Sequence, residues 1–341
     1  MFFFKHAAKR ALVAGVITFA ATLASTSSAQ AEGRIRIAEQ YGVSYLLLNI
    51  AEEQKLIEKH GKQAGVDIKV DWLQLSGGAA INDALLSGSI DIAGAGVGPL
   101  LTIWDRTHGR QDVKGVASLG NFPYYLVSID PKVKTLADFT AKDRIGLPAT
   151  GVSVQARLLQ MAVAKQWGDK EFKKLDNLTQ TLPHPDAATA LIAGGTEITG
   201  HFGTPPFSQQ ELAGNPKAHI VLNSYDIQGG PSSSTVLYAT EKYRAENPKT
   251  YRAFIGALAE AAQFATQHPE QAVDIYLRVT KSKVDRKLLL AILKDKDVQF
   301  KIAPENTYSL ADFLYRAGVL KNKPASWRDY FFDDPAIGKG S

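Results

Sequence analysis

Cysteine is absent from all 341 residues. That one absence excludes disulfide bonds, thiolate nucleophiles and cysteine-ligated metals. The 7 histidines form no H-E-x-x-H run and no i, i+4 pair, so no metal-binding signature is present. There is no nucleophile elbow and no Ser/His/Asp ordering that suggests acyl transfer. Charge is modest, with 39 Lys and Arg against 34 Asp and Glu, a net charge of +5. The basic residues are scattered and form no arginine-rich stripe, which argues against nucleic acid as a partner. A small basic excess suits an acidic small ligand. Low-complexity tracts and fixed-period repeats are also missing.

Long apolar runs are scarce as well. The longest, Ala11 to Leu23, follows Lys5, Lys9 and Arg10 and precedes the small-x-small triplet Ala29-Gln30-Ala31. A basic n-region, an apolar h-region and such a triplet define a secretory signal, with cleavage expected after Ala31. The run is too short for a spanning helix, which needs about 20 residues. No cysteine follows it, so no lipid anchor is expected. The mature chain is expected to be soluble and exported, with the Gram-negative periplasm as its location.

What the chain does have is one pattern used three times. A strand-like run ends in a turn of small residues, and the turn opens into a helix. Val66–Trp72 leads into Ser76-Gly77-Gly78, Ile90–Ala93 into Gly94-Ala95-Gly96-Val97-Gly98-Pro99, and Arg144–Pro148 into Ala149-Thr150-Gly151-Val152-Ser153. Each turn presents free backbone N–H groups and the positive end of a helix dipole. In open α/β folds, ligands bind at that carboxyl edge of the sheet. The pattern points to a small polar or anionic ligand held by backbone and hydroxyl groups.

Strand–helix repetition with short turns predicts wound, largely parallel sheets. Strands are expected at Arg34–Ala38, Gly115–Leu119, Tyr124–Ile129, Leu178–Leu182, Glu197–His201 and Thr235–Ala239, a helix at Ser153–Gln166 and a strongly periodic helix at Ala253–Gln267. Two Gly/Pro-rich crossings, Gly120–Pro123 and Gly229–Ser232, bracket a middle block. The expected organisation is therefore a discontinuous first lobe of residues 32–120 and 231–341, and a second lobe of residues 121–230. The ligand cleft would lie between them.

The stretch from Ser76-Gly77-Gly78 through Asn82-Asp83-Ala84-Leu85-Leu86-Ser87-Gly88-Ser89-Ile90-Asp91-Ile92-Ala93 resembles the substrate-binding proteins of nitrate/sulfonate/taurine-type ABC importers. Gly96-Val97-Gly98-Pro99, Gly151-Val152-Ser153-Val154-Gln155 and His201-Phe202-Gly203-Thr204-Pro205-Pro206 fall where that family places later ligand loops. The resemblance runs from Arg34 to about Leu320. It implies a two-lobed periplasmic binding protein-like (type II) α/β fold, without catalysis and without a cofactor. It also implies a monomer that hands a small sulfonate, carboxylate or nitrate-class anion to a permease and ATPase in the inner membrane. The same family includes binders of thiamine pyrimidine precursors, and pyrimidine-synthase-like enzymes share the fold. Those enzymes carry a cysteine-rich motif that has no counterpart here.

The expected ligand contacts follow from the turns. Ser76, Gly77 and Gly78 form an anion cradle, and Gly96, Val97 and Gly98 a second loop. Thr150, Gly151 and Ser153 form a third, with one hydroxyl capping the helix. Gln155 leans back from the first turn of that helix. His201 ends its strand and is expected to touch ligand directly, with Thr204 just beyond. Tyr41 and Phe122, both in turns, are expected as walls. Arg157 reads as a solvated charge, and His184 and His219 as loop or surface residues.

Overall fold

Two five-stranded sheets, each flanked by helices, make up residues 32–341, the part of the chain that the computed structural model describes. The expected signal segment lies outside the described residues. The first sheet has the order β2-β1-β3-β10-β4, from β1 (Arg34–Glu39), β2 (Lys69–Gln74), β3 (Ile92–Gly96), β4 (Val113–Ser118) and β10 (Thr235–Thr240). The second has the order β7-β6-β8-β5-β9, from β5 (Tyr125–Ser128), β6 (Ile145–Leu147), β7 (Thr179–Thr181), β8 (Gly200–Gly203) and β9 (His219–Asn223). The helices that follow the strands are α1 (Leu46–Glu53), α2 (Leu56–Gln63), α3 (Gly78–Leu86), α4 (Val97–Thr107), α5 (Val154–Trp167), α6 (His184–Ala193), α7 (Phe207–Gly214) and α8 (Ser224–Gln228). The C-terminal helices α9 (Glu241–Glu246), α10 (Pro248–Gln267), α11 (Pro269–Thr280), α12 (Arg286–Leu293) and α13 (Tyr308–Arg316) complete the fold.

The two sheets are mixed rather than largely parallel. β1 runs parallel to β2 and β3, and β6 runs parallel to β7 and β8. β10 is antiparallel to β3 and β4, and β5 is antiparallel to β8 and β9. The exceptions share a cause. β5 and β10 are the strands that follow the two crossings, so each enters its sheet from the cleft side. The parallel strands around them leave the sheet at that side.

The run Gly94-Ala95-Gly96, expected as a turn, is instead the buried end of β3. A Cβ at Gly94 would lie 2.7 Å from the Ala38 carbonyl oxygen. Small residues let β3 sit fully buried between β1 and β10 with helices on both faces. The helices bury one stripe each. In α10, Tyr251, Phe254, Ile255, Leu258, Ala262 and Ala265 recur at helical spacing and are all buried.

β1 ends at Glu39, a buried residue that is 9% exposed. Asn49 of α1 donates from Nδ2 to its two oxygens at 3.2 and 3.4 Å. Burial, with Glu52 nearby, pushes the Glu39 carboxyl up to about 8, against the opposing pull of Asn49.

The crossings are tied to one another. Ser118 donates to Ser233 at 2.9 Å, Ser233 donates to Asn121 at 2.9 Å, and Asn121 donates to Glu305 at 2.6 Å. Gly120 holds φ at +121°, and a Cβ there would lie 2.3 Å from the Gln299 carbonyl oxygen. Beyond the crossings the lobes meet at glycines. A Cβ on Gly77 would fall 2.5 Å from the Pro148 carbonyl oxygen, and one on Gly96 would fall 2.6 Å from Val154 Cβ. A Cβ on Gly98 would meet the Val152 oxygen at 2.8 Å, and one on Gly42 the Pro205 oxygen at 2.9 Å. Val43 N–H donates to that same Pro205 oxygen at 2.9 Å.

Gly77 sits in extended backbone, with φ at −168°, so alanine fits its conformation. The atoms nearest to an added Cβ, on Pro148 and Ala149, belong to the opposite lobe. Gly77→Ala should therefore leave each lobe folded and hold the pair apart. Small-angle scattering should show a larger radius of gyration than wild type at saturating ligand, with unfolding temperature of the free protein little changed. Equal radii would mean that the contact yields without opening.

Glu39 yields a pH prediction. Between about pH 4.5 and 8 the folded chain keeps a proton that the unfolded chain releases, so this group lowers stability as pH rises through that interval. Thermal unfolding of Glu39→Gln should exceed wild type by more at pH 8.5 than at pH 5. A constant difference would show that Glu39 is ionised in the fold.

Candidate functional site

The ends of the parallel strands and the starts of the crossing strands enclose one cavity between the lobes. The first lobe supplies Gln40, Tyr41, Ser44 and Tyr45 from the turn after β1, Gly78 from α3, Gly96 and Pro99 around the start of α4, and Thr235 of β10. The second supplies Ser153, Val154 and Gln155 at the start of α5, His184 of α6, and Thr204 after β8, with Tyr124 at the first crossing. About 310 Å³ lies between these atoms, part of it open to solvent, which is room for a small molecule.

The start of α3, α4 and α5 all open on this space. Among the described residues, no protein acceptor engages the N–H groups of Gly78, Val154 and Gln155. Val97 N–H, by contrast, donates to Ser234 O at 3.0 Å, and its side chain is in the core. Ser153 is the N-cap of α5, and its hydroxyl oxygen accepts from Ala156 N–H at 3.2 Å. Its hydroxyl proton stays available to the cavity. Ser44 and Thr204 face each other across the lobes at 3.5 Å. The Tyr124 hydroxyl bonds Thr235. No lysine, arginine, aspartate or glutamate lines the cavity among the described residues.

Of the residues expected from the sequence, Tyr41, Gly78, Gly96, Ser153, Gln155 and Thr204 come together here. The others do not line the space. Ser76 and Thr150 are exposed, and the Thr150 hydroxyl lies 3.2 Å from that of Thr181. Gly77 and Gly98 meet the opposite backbone, as described above. Gly151 holds φ at +66° in the turn before α5, with open space where a side chain would be. Phe122 is 1% exposed and packs edge-on against Phe300, 5.7 Å between ring centres, because its crossing is folded onto the core.

His201 is fully buried inside β8 rather than at a strand end. The ladder runs from Gly200 to Gly203, since pairing with Tyr125–Ser128 sets the register. Both His201 ring nitrogens are taken. Nδ1 bonds Glu211, and Nε2 lies 2.7 Å from His184 Nδ1. His184, expected at the surface, is 3% exposed and forms part of the wall. Its ring stacks on Phe207 with centres 5.8 Å apart. Arg157 is also buried, at 7% exposure, with Nη1 donating to Gln160 at 3.0 Å. Burial pulls its guanidinium down to about 10, partly offset by Asp176.

Most of the wall residues outside the expected contact set fall in two groups. Gln40, Ser44 and Tyr45 belong to a fourth strand–turn–helix junction, the signal that found the other three. Tyr124 and Thr235 arrive through the crossings, and His184 through the pairing of β7 with β6, which no local pattern encodes.

Comparison with known proteins bears on the same fold. A Brucella abortus (strain 2308) protein named as a binding protein is 26% identical over 311 residues, covering 87% of this chain and 89% of its own. The alkanesulfonate-binding protein SsuA from Xanthomonas axonopodis pv. citri, solved with MOPS bound, superposes with a TM-score of 0.66 at 20% identity, over 86% of this chain and 96% of that one. The periplasmic nitrate-binding protein NrtA from Synechocystis PCC 6803 gives a TM-score of 0.66 at 18% identity, over 88% of this chain and 84% of that one. The fold is that of the periplasmic binding proteins. Residues 62–272, more than half of the chain, match the family described as NMT1/THI5 like, and the protein belongs to that family.

Proposed function

We propose that this protein is the solute-binding subunit of an ABC importer, exported to the periplasm after cleavage behind Ala31. It captures a small anion between its lobes and delivers it to an inner-membrane permease and its ATPase. The observation that carries the reading is the convergence of three helix N-termini on one cavity with no charged side chain in its wall among the described residues. Unpaired N–H groups and aligned dipoles favour a negative group there. Each interaction is modest, about 0.3–1 kcal/mol at an exposed terminus and up to about 2 kcal/mol when partly buried. Hydrogen bonds to a charged ligand add roughly 1.5–3 kcal/mol each. Sulfonate, carboxylate and nitrate groups all present the required oxygen atoms. The binding-protein relatives support the same reading.

A thermal-shift panel of nitrate, methanesulfonate and benzoate tests the charge class. A ligand that binds only the folded state raises its unfolding temperature, and at least one of these anions should do so. Ser153→Asp sharpens the test. Aspartate is an equally good N-cap, so the free protein should keep its stability. Its carboxylate would face the cavity, and the anion-induced shift should disappear. Retained anion binding in a stable Ser153→Asp protein would overturn the anion reading. So would a shift produced only by neutral or cationic compounds.

A further inference from the structure

Behind the cavity wall, four buried polar side chains form one unbranched hydrogen-bond chain. Glu211 of α7 and His201 of β8 are fully buried, while His184 and Gln155 are 3% and 4% exposed. Glu211 Oε1 bonds His201 Nδ1, His201 Nε2 lies 2.7 Å from His184 Nδ1, and His184 Nε2 lies 3.1 Å from Gln155 Nε2. Gln155 and His184 line the cavity, and the other two lie behind them.

One proton occupies each contact, so the direction of one bond fixes the rest. With Glu211 ionised and both rings neutral, His201 donates from Nδ1 to Glu211. His184 then donates from Nδ1 to His201, and Gln155 donates its N–H to His184 Nε2. The Gln155 oxygen, which accepts no hydrogen bond among the described residues, is left for the cavity as an acceptor. Now add one proton. His201 becomes an imidazolium beside Glu211 and donates from Nε2 to His184 Nδ1. His184 carries its proton on Nε2 and donates to the Gln155 oxygen. The amide has turned over, its oxygen and nitrogen exchanging places within nearly the same outline. Its N–H group now faces the cavity.

We propose that Glu211, His201 and His184 are positioning residues that couple anion capture to the uptake of one proton, by turning Gln155 from acceptor to donor. The proposal rests on the anion reading above and adds the chemistry that selects the ligand.

The surroundings of the chain support the placement of that proton. Glu211 Oε2 has no partner among the described residues, so a fully buried carboxylate is compensated through a single oxygen. Such a group favours a cation beside it. The groups facing His201 are His184 from α6 and Glu211 from α7, while β5 and β6 set Val127 and Gly146 beside it. Burial, and then His201, push His184 well below the ordinary histidine range, so the added charge sits next to Glu211 and not in the wall. The Tyr45 and Tyr124 phenols lining the cavity are raised by burial and stay neutral.

Linkage gives the sign. The anion-bound form holds the proton more tightly, so affinity falls as pH rises, by up to tenfold per pH unit for one proton. Nitrogen NMR of the histidine rings in the full chain reads the tautomers directly. Without anion at pH 8.5, His184 and His201 should both be neutral and protonated on Nδ1. On acidification to pH 5, or on adding methanesulfonate or nitrate, His201 should become doubly protonated and His184 should move its proton to Nε2. A His184 that stays protonated on Nδ1 throughout, or one that itself becomes the imidazolium, overturns the proposal. Calorimetry with the same anions adds a second readout. Gln155→Met should keep the histidine titration and bind anion with a flat pH profile. A flat profile in wild type from pH 5 to 8.5 overturns the coupling while leaving anion binding intact. If neither anion binds at any pH, the anion reading and the coupling built on it both fail, and tautomer exchange in the free protein would then have another role.

Discussion

Where the lobes meet, the first lobe offers glycine. Gly42, Gly77, Gly96 and Gly98 each bring their backbone to within a methyl group's width of Pro205, Pro148, Val154 and Val152. A side chain at any of them would prop the lobes apart, so the cleft closes only because these positions have none. The same approach shapes the cavity. It aims the starts of α3 and α4 at the start of α5, and it excludes most solvent from the space between. Dipoles and N–H groups that would be weak in water act there in a lower dielectric. Geometry and electrostatics are therefore one constraint, since opening the contact both enlarges the space and readmits water.

A wall without charged side chains is a physical choice with consequences. A lysine or arginine in the cavity would need a counter-charge whenever the ligand is gone, at a considerable desolvation cost. Backbone donors carry no such cost, because they are neutral with or without ligand. They also bind more gently, which suits the proposed role of capture and release. Arg157 illustrates the alternative. It lies on the same helix, but its guanidinium turns to Gln160, near Asp176, rather than to the cavity.

The lobes' elements were largely legible from periodicity and turn chemistry. The alternation of Arg34–Ala38, the apolar stripe of α10 and the Ser153 cap are local signals with local causes. Ser153 and Gly78 could be placed at the cavity because a turn that opens a helix at a sheet edge has little freedom in where it points. His201 could not. Alternation through Glu197–His201 suggests a strand ending at the histidine, but partner strand β5 moves the ladder on to Gly203. Two residues of register turn a cleft contact into a buried link. The fate of Gly94–Gly96 has the same origin, since only the arrival of β10 from the second crossing makes a glycine-rich stretch into central strand.

Glu211, His201 and His184 are a costly way to pack a lobe. Apolar side chains of similar volume are often as stabilising as a buried ionic group, or more so. Hydrocarbon packing, however, cannot orient an amide. The two faces of Gln155 differ by one oxygen and one nitrogen in nearly the same place, so shape alone does not distinguish them. Only a directed partner can, and a histidine has two tautomers with which to do so. Extending the chain through a second histidine to a carboxylate moves the titrating charge away from the wall. The cavity then keeps neutral walls in both states, and the proton acts on the ligand through hydrogen-bond direction rather than through a charge placed beside it.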